Sequence, residues 1–286
     1  MENRGSLKII AGACLFGLIP VFVRFGDELS VFSIALGRAI FATLFARIYL
    51  GFKNENVSLQ FKNFNSVVFL HFFIWSVFLT FAILFYFLSI QYGSVALSGV
   101  LLGVHPVFVV FFVFVFFKEK ISGKTLFSCF LAIVGILLIS GIQNGMPEKL
   151  AGSLYALVSA FFLGLNFTYY LKYLKDYSAG KLVYYQNILQ ILILIPFAFS
   201  NPGIINLNGI ISVICLGVFC TGIAYFLIYS GSQFVKKQKI GILQIIENII
   251  PIIIGVAFYH EQIAIISIFG ILLILFSVIL ISFEVE

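Results

Sequence analysis

The acidic side chain that most invites a chemical role is Glu247, which lies in a strongly apolar stretch of the sequence. Gln244 precedes it by three residues and Asn248 follows it directly, so the three share one face of a helix. A charged group at membrane depth costs roughly 2.5–3.5 kcal/mol on insertion scales, which suggests a function. Two interpretations stay open: Glu247 contacts a cation or exchanges a proton, or its carboxyl group only joins helices.

A second polar position is His105, which lies fourteen residues before Glu119. Glu247 lies the same fourteen residues before Glu261. If the two segments are copies of an internal repeat, this equal spacing places His105 opposite Glu247 across the two-fold axis that relates the copies. Pro106 has no backbone N–H, so a carbonyl group of the preceding turn loses its helical partner. Within a membrane such a carbonyl is tolerated where it lines a cavity or finds another donor. His105 is therefore either a binding or coupling group or a residue bonded to a neighbouring helix.

Three more charged residues have two interpretations each. Arg38 lies some way into an apolar run, where it could attract a carboxylate, could serve a structural role or could reach the membrane interface. Glu119 and Glu261 each stand at the end of an apolar run. They are candidates for a hinge or gate, and the alternative is a pair of solvated helix ends.

Amphipathic side chains also recur inside the apolar runs. Asn166 interrupts one run, Trp75 and Tyr86 lie about three helical turns apart in another, and Tyr225 and Tyr229 are one turn apart in a third. Such groups suit a cavity that holds an amphipathic solute. Tyrosine and tryptophan also concentrate at membrane interfaces, so both interpretations stay open.

Motifs of metal, nucleotide and hydrolytic chemistry are absent from the sequence. There is no HExxH, no GxGD, no Ser/His constellation and no nucleotide-binding loop, and the three histidines are scattered. The sequence therefore predicts neither an enzyme nor a cofactor or metal site. The cysteines all lie in apolar runs without a CxxC pair and are interpreted as spectator thiols: Cys14, Cys129, Cys215 and Cys220.

The elements that carry these residues follow from composition. Of the 286 residues, 62% are hydrophobic and 10% are charged, against about half and a quarter in soluble domains. A water-soluble fold is therefore excluded. A membrane helix needs about 20 apolar residues, and the sequence predicts an all-α integral membrane protein of about ten such helices. The predicted runs are 7–25, 31–52, 67–90, 95–117, 125–142, 150–173, 182–199, 210–234, 240–259 and 263–283.

The lysines and arginines predict the orientation of these helices. With the N-terminus inside, all of them except Arg24, Arg38 and Lys149 fall at inside-facing ends. We therefore expect cytoplasmic N- and C-termini in a cell inner (plasma) membrane. The net charge of +6 is then a matter of topology, and no nucleic-acid partner is expected.

Two halves, residues 1–145 and 146–286, resemble each other. Lys118 and Lys120 flank Glu119, whereas His260 and Gln262 flank Glu261. The loss of lysines from the second copy is what the positive-inside rule requires if that copy is inverted. An odd number of helices per half, five, also forces inversion. Inverted repeats around a central site are typical of transporters.

These features resemble the EamA-like branch of the drug/metabolite transporter superfamily. The similarity rests on the ten-helix length, the duplication, the segment from Ser33 to Arg38, and the Pro106/Glu119 and Glu247/Glu261 spacings. One departure is that Asn248 follows Glu247 where the family often has proline, which here comes at Pro251. The resemblance implies a basket-like bundle whose central cavity is lined mainly by helices one, three, four, six, eight and nine.

The resemblance also sets the functional expectation. Family members move amino acids, nucleotide-like metabolites or cationic drugs, and we expect export of amino acids or similar small metabolites by alternating access. The alternatives are a carrier of cationic drugs or nucleotide-linked metabolites and, from another class, a membrane-embedded enzyme. The expected partners are a small-molecule substrate and the lipid bilayer, with protons as a candidate coupling ion and a monomer or homodimer as the assembly.

Overall fold

The structure is a computed structural model that describes residues 2–52, 66–118, 121–139, 147–232, 234–235, 243–244 and 246–282. For residues 147–149, 229, 232 and 281–282 it describes the backbone alone. Within these ranges the chain is almost entirely helical, and its β-structure is limited to an isolated bridge between Leu29 and Gly203. The prediction of an all-α membrane protein is confirmed.

The helices follow the apolar runs of the sequence closely. In the first half they are α1 Glu2–Gly17, α2 Ile19–Phe25, α3 Val31–Phe52, α4 Ser66–Tyr92, α5 Val95–Leu102, α6 His105–Phe117 and α7 Gly123–Ile139. In the second half they are α8 Pro147–Tyr173, α9 Ala179–Ser200, α10 Leu207–Gly217, a π-helical segment Val218–Ile223, α11 Ala224–Ser232, α12 Ile246–Ala257 and α13 Ile265–Ser282.

Seven helical stretches in the described ranges are long and apolar enough to cross a membrane. Three shorter apolar helices, α7, α12 and α13, account for the remaining predicted runs. The seven are Glu2–Phe25, Val31–Phe52, Ser66–Tyr92, Val95–Phe117, Leu150–Tyr173, Ala179–Ser200 and Leu207–Ile228.

Three runs that the sequence predicts as continuous helices are interrupted. Breaks at Leu18 and at Gly103–Val104 each precede a helix with proline in its first turn, Pro20 in α2 and Pro106 in α6. Proline lacks the N–H of the helical ladder and its ring clashes with the preceding turn, which explains both breaks. In the third run the ladder widens into the π-helical segment, where the Thr221 hydroxyl donates to the Leu216 carbonyl at 2.8 Å.

Each half of the chain packs mainly against the other half. The closest helix pairs are α4 with α8, α7 with α13, α3 with α9, α1 with α11, and α5 with α12. Glycines allow the close approach: a Cβ at Gly12, Gly99 or Gly135 would lie 2.6–2.9 Å from atoms of the facing helix. The bundle is therefore held by backbone proximity as well as by its large apolar side chains.

The backbone takes the same turn before the two predicted gate residues. Lys118 and His260 are the non-glycine residues with positive φ in the described ranges, at 57° and 51°. They directly precede Glu119 and Glu261 respectively. Left-handed geometry is uncommon outside glycine, and here it occurs at the residue directly before each of the two glutamates. Glu119 itself lies outside the described residues.

Candidate functional site

A cavity of about 230 Å³ lies near the middle of the bundle. It is bounded by the α1–α2 and α5–α6 breaks together with α4, α8, α11, α12 and α13. These segments include all six that the resemblance implies, and Val278 of the last helix joins them. Its polar or ionisable lining residues are Tyr86, His105, Ser159, Asn166, Tyr225, Gln244, Glu247 and Asn248.

Most of the predicted site residues meet at this cavity. Trp75 and Arg38 do not line it, and Glu261 lies at one end of the bundle beside α5. Glu119 and the side chain of Tyr229 lie outside the described residues. The predicted residues that line the cavity are Glu247, His105, Asn248, Gln244, Asn166, Tyr225 and Pro106.

Glu247 stands in the first turn of α12 and borders the cavity. Its carboxyl group has no hydrogen bond and no ion pair with any described residue. Tyr86 and Tyr225 line the same cavity. Among the described lining residues there is no lysine or arginine. Among the described residues, the cavity therefore presents an acidic group without a bonded partner.

His105 begins α6 at the break that Pro106 creates. The carbonyl that Pro106 leaves without a helical donor is that of Leu102, four residues earlier. Nδ1 of His105 lies 3.3 Å from this carbonyl oxygen, which accepts a hydrogen bond from the ring in the Nδ1–H tautomer. Part of the role of His105 is thus local, because its ring satisfies the carbonyl beside the cavity.

Asn166 and Trp75 join α8 to α4 by two reciprocal hydrogen bonds. Trp75 Nε1 donates to the Asn166 carbonyl at 3.1 Å, and Asn166 Nδ2 donates to the Trp75 carbonyl at 2.8 Å. Trp75 is 2% exposed and packs in the core beside Tyr170, with ring centroids 5.9 Å apart. Trp75 does not line the cavity; its hydrogen bonds hold Asn166 at the cavity wall.

Arg38 lies in α3, outside the cavity, and is 5% exposed. Its Nη1 donates to Thr221 Oγ1 at 3.0 Å, and its Nη2 donates to Gln190 Oε1 at 2.5 Å. The guanidinium thus connects α3 to α9 and to the π-helical segment. The side chain is buried between helices and does not line the cavity, so this structure favours the packing interpretation, and a role of Arg38 in binding stays a prediction.

Glu261 follows α12 and reaches the N-terminus of α5. Its carboxylate accepts hydrogen bonds from the Ser94 hydroxyl at 2.6 Å, the Val95 N–H at 2.7 Å and the Ala96 N–H at 3.0 Å. An anion at this position satisfies the free N–H groups of a helix start and complements its dipole. Glu261 is therefore bonded within the protein, and the interpretation as a merely solvated helix end is incorrect.

A sequence comparison decides the family. The model of the EamA-like transporter family matches residues 3–141 and 150–283. The chain belongs to the EamA-like transporter family. The resemblance noted from the sequence is confirmed, and the protein is a multi-pass membrane transporter.

Relatives of this EamA-like protein carry the same kind of name. An uncharacterized transporter of Archaeoglobus fulgidus is 27% identical over 268 residues, covering 93% of this chain and 92% of the relative. The uncharacterized transporters YetK and YxxF of Bacillus subtilis are each 28% identical, over 57% and 61% of this chain and 52% and 57% of their own lengths. These names point to a non-enzymatic transporter.

A solved structure supports the fold of this EamA-like transporter. A protein of known crystal structure aligns with 98% of this chain and 97% of its own, with a TM-score of 0.67. The sequence identity is 14%, so the likeness concerns the fold alone.

Sequence reasoning missed several residues around the EamA-like cavity. Ser159 lines it and donates from its hydroxyl to the Ala82 carbonyl at 2.6 Å. Phe16 and Phe167 also line it, although nothing in the sequence separates them from the other 34 phenylalanines. Away from the cavity, the sequence analysis also missed the buried amides of α9. Their spacing was a usable signal, because Gln186 and Gln190 are one turn apart in an apolar run.

Proposed function

We propose that this EamA-like protein is a secondary transporter that exports amino acids or similar small metabolites, with Glu247 as the group that binds their ammonium. The observation that carries the proposal is the Glu247 carboxyl group, which borders the cavity without a partner among the described residues. A carboxylate partly removed from water attracts a cation far more strongly than one in bulk solvent. Charge-assisted hydrogen bonds to an ammonium would then fix the solute.

The remaining lining supports a small polar solute. The amides of Asn166, Gln244 and Asn248 can donate to a carboxylate and accept from an amine. A volume of about 230 Å³ lies below the range of about 300–1,000 Å³ of drug-sized sites. Both features favour metabolites of the size of an amino acid over bulky drugs.

A second candidate function, transport of compact organic cations, is favoured by the rings around Glu247. Phe16, Tyr86, Phe167 and Tyr225 line the same cavity as the carboxyl group. Aromatic faces attract cations, by about 0.5–2 kcal/mol each. This candidate differs from the first in needing no partner for a substrate carboxylate.

Alternating access between two inverted halves, 1–145 and 146–286, is proposed as the mechanism. Exchanging each helix for its counterpart in the other half leaves the set of closest helix pairs unchanged. The left-handed residues Lys118 and His260 also correspond, and the family match falls into two segments, 3–141 and 150–283. Inverted repeats of this kind rock about a central site.

The proposed orientation puts both termini in the cytoplasm of an inner-membrane protein. It rests on the lysines and arginines, which concentrate at the ends of the helices on that side. Protons are the proposed coupling ion, because a carboxyl group in the cavity can exchange a proton with the solute during the cycle. The assembly is proposed to be a monomer or a homodimer.

The test is uptake by proteoliposomes of a labelled panel of amino acids, amines and organic cations. We expect saturable uptake of a panel member, reduced at least tenfold in Glu247→Gln, which corresponds to about 1.4 kcal/mol. The matched control is Glu28→Gln, a carboxyl group outside the cavity that accepts from Asn206 Nδ2 at 2.6 Å. Uptake that both variants retain would remove Glu247 from the mechanism, and competition between alanine and a quaternary amine would separate the two candidate functions.

A further inference from the structure

Four helices that border the cavity, α2, α4, α5 and α12, continue to the same end of the bundle. The segments that meet there are the end of α2, the end of α4, the start of α5 and the connection from α12 to α13. The hydrogen bonds between them join residues up to 167 positions apart in the chain. This meeting point is separate from the cavity and contains no group of the proposed substrate site.

Arg24 ties the end of α2 to the end of α4. Its Nε donates to the Ile90 carbonyl at 3.2 Å, and its Nη2 donates to the Gly93 carbonyl at 2.7 Å. The guanidinium carbon also lies 5.6 Å from the ring centroid of Tyr259, within the range of a cation–π contact. Arg24 therefore holds two helices of the first half and the connection from α12 to α13 together.

Glu261 ties that same connection to α5. It accepts three hydrogen bonds from residues 94–96, and Ser94 Oγ also accepts from the Leu97 N–H at 3.3 Å. The left-handed residue His260 and the Glu261 N–H, which donates to the Gly255 carbonyl at 2.9 Å, set the direction of the side chain. Gly255 leaves room for it, because a Cβ there would lie 2.5 Å from Glu261 Oε2.

The distance from the cavity is one to two helical turns. Arg24 lies five residues beyond Ile19, a lining residue of α2, and Ile90 lies four beyond Tyr86. At about 1.5 Å per residue, these steps are about 6–8 Å. One cluster of buried side chains contains residues of both levels: Tyr86 and Leu102 line the cavity, and Ile90 accepts from Arg24. Tyr259 packs against this cluster.

We propose that Arg24, Tyr259 and Glu261 form a latch that holds this end of the cavity closed. The inference rests on the proposed alternating access and adds the contacts that one step of the cycle must break. Arg24 and residues 94–96 belong to the first half, whereas Tyr259 and Glu261 belong to the second. Opening of the cavity at this end therefore requires the ring of Tyr259 to leave Arg24 and the Glu261 carboxylate to leave α5. In the proposed orientation this end faces away from the cytoplasm.

The test measures access to the cavity rather than transport. In a chain whose four cysteines are replaced by serine, Ile83→Cys places a thiol at a partly exposed lining position. A membrane-impermeant thiol reagent is then applied from each side of the proteoliposome membrane. We expect Glu261→Gln, Arg24→Ala and Gly255→Ala each to raise the labelling rate from the latch end about tenfold, by shifting the population toward the open state. Arg24→Lys keeps the charge but loses the forked geometry, so its labelling rate should lie between those of the intact latch and of Arg24→Ala.

Glu28→Gln is the matched control, since Glu28 follows α2 near the latch and contacts Asn206 instead. Two results would overturn the proposal. One is a labelling rate from the latch end that is as high with the latch intact as in the latch variants. The other is an equal rise of that rate in Glu28→Gln. Size-exclusion profiles identify any variant that fails to fold, and Glu261→Gln, nearly isosteric, then carries the test. The readout needs no substrate, so failure of the transport assay and failure of the latch are distinguishable.

Discussion

Gly103 packs directly against Asn248, so a Cβ at Gly103 would lie 2.6–2.7 Å from three atoms of the Asn248 side-chain amide. The contact joins the break between α5 and α6 to the first turn of α12, at the cavity wall. The break thus does more than accommodate Pro106, because it brings bare backbone against a residue proposed to bind the solute.

Gly103→Ala is expected to displace the Asn248 amide and to lower stability by about 1–3 kcal/mol, the usual cost of overpacking. The measurement is the thermal unfolding midpoint in detergent, together with uptake. Gly51→Ala is the matched control, since a Cβ at Gly51 meets no atom of the described residues within 4 Å. Equal unfolding midpoints for the two variants would show that the Asn248 side chain moves aside at no cost in stability.

Trp75→Phe is expected to lower stability through its hydrogen bond with Asn166 rather than through substrate affinity. Hydrogen bonds between membrane helices average about 0.6 kcal/mol and reach about 1.7 kcal/mol. Each of the two bonds ends on a backbone carbonyl, which substitution of the other residue leaves in place. Trp75→Phe and Asn166→Ala should therefore each lower the free energy of unfolding by an amount in that range. Unchanged stability in Trp75→Phe, or a change in its KM, would contradict a purely positioning role.

Arg38→Lys is expected to destabilise the protein by about 1–3 kcal/mol while leaving substrate selectivity unchanged. A single ammonium is a point charge and does not reproduce the fork that binds Thr221 and Gln190. Arg47→Lys, on the same helix but exposed, should stay within about 0.5 kcal/mol. A change in the ranking of solutes for Arg38→Lys would show instead that Arg38 reaches the transport path.

The dependence of uptake on pH is expected to separate the two roles proposed for Glu247. If the carboxylate binds a cation, uptake without a pH gradient falls as the pH is lowered, because protonation removes the negative charge. If Glu247 also exchanges a proton with the solute, an imposed pH gradient drives accumulation, and Glu247→Gln abolishes that drive. Uptake in the wild-type protein that is insensitive to both pH and gradient would remove Glu247 from either role.

Several features of the candidate site could be predicted from the sequence because they are local. The spacing of Gln244, Glu247 and Asn248 placed them on one helix face, and all three border the cavity. The carbonyl freed by Pro106 was expected, although the hydrogen bond that it accepts from His105 was not. The sequence left both interpretations of Trp75 open, because an amphipathic ring on a helix can face a cavity or a neighbouring helix, and periodicity does not distinguish the two.

By itself, the sequence determined that this is a membrane protein, which apolar runs form helices, and to which family the chain belongs. Those properties depend on run length, charge and spacing, all of which are local features of the sequence. Only the tertiary structure decided that Arg38 bonds to Gln190 and Thr221, that Arg24 reaches Ile90 and Gly93, and that Glu261 caps α5. The physical reason is that each contact depends on how separately formed helices pack, and in lipid that packing follows close backbone approach rather than hydrophobic pattern.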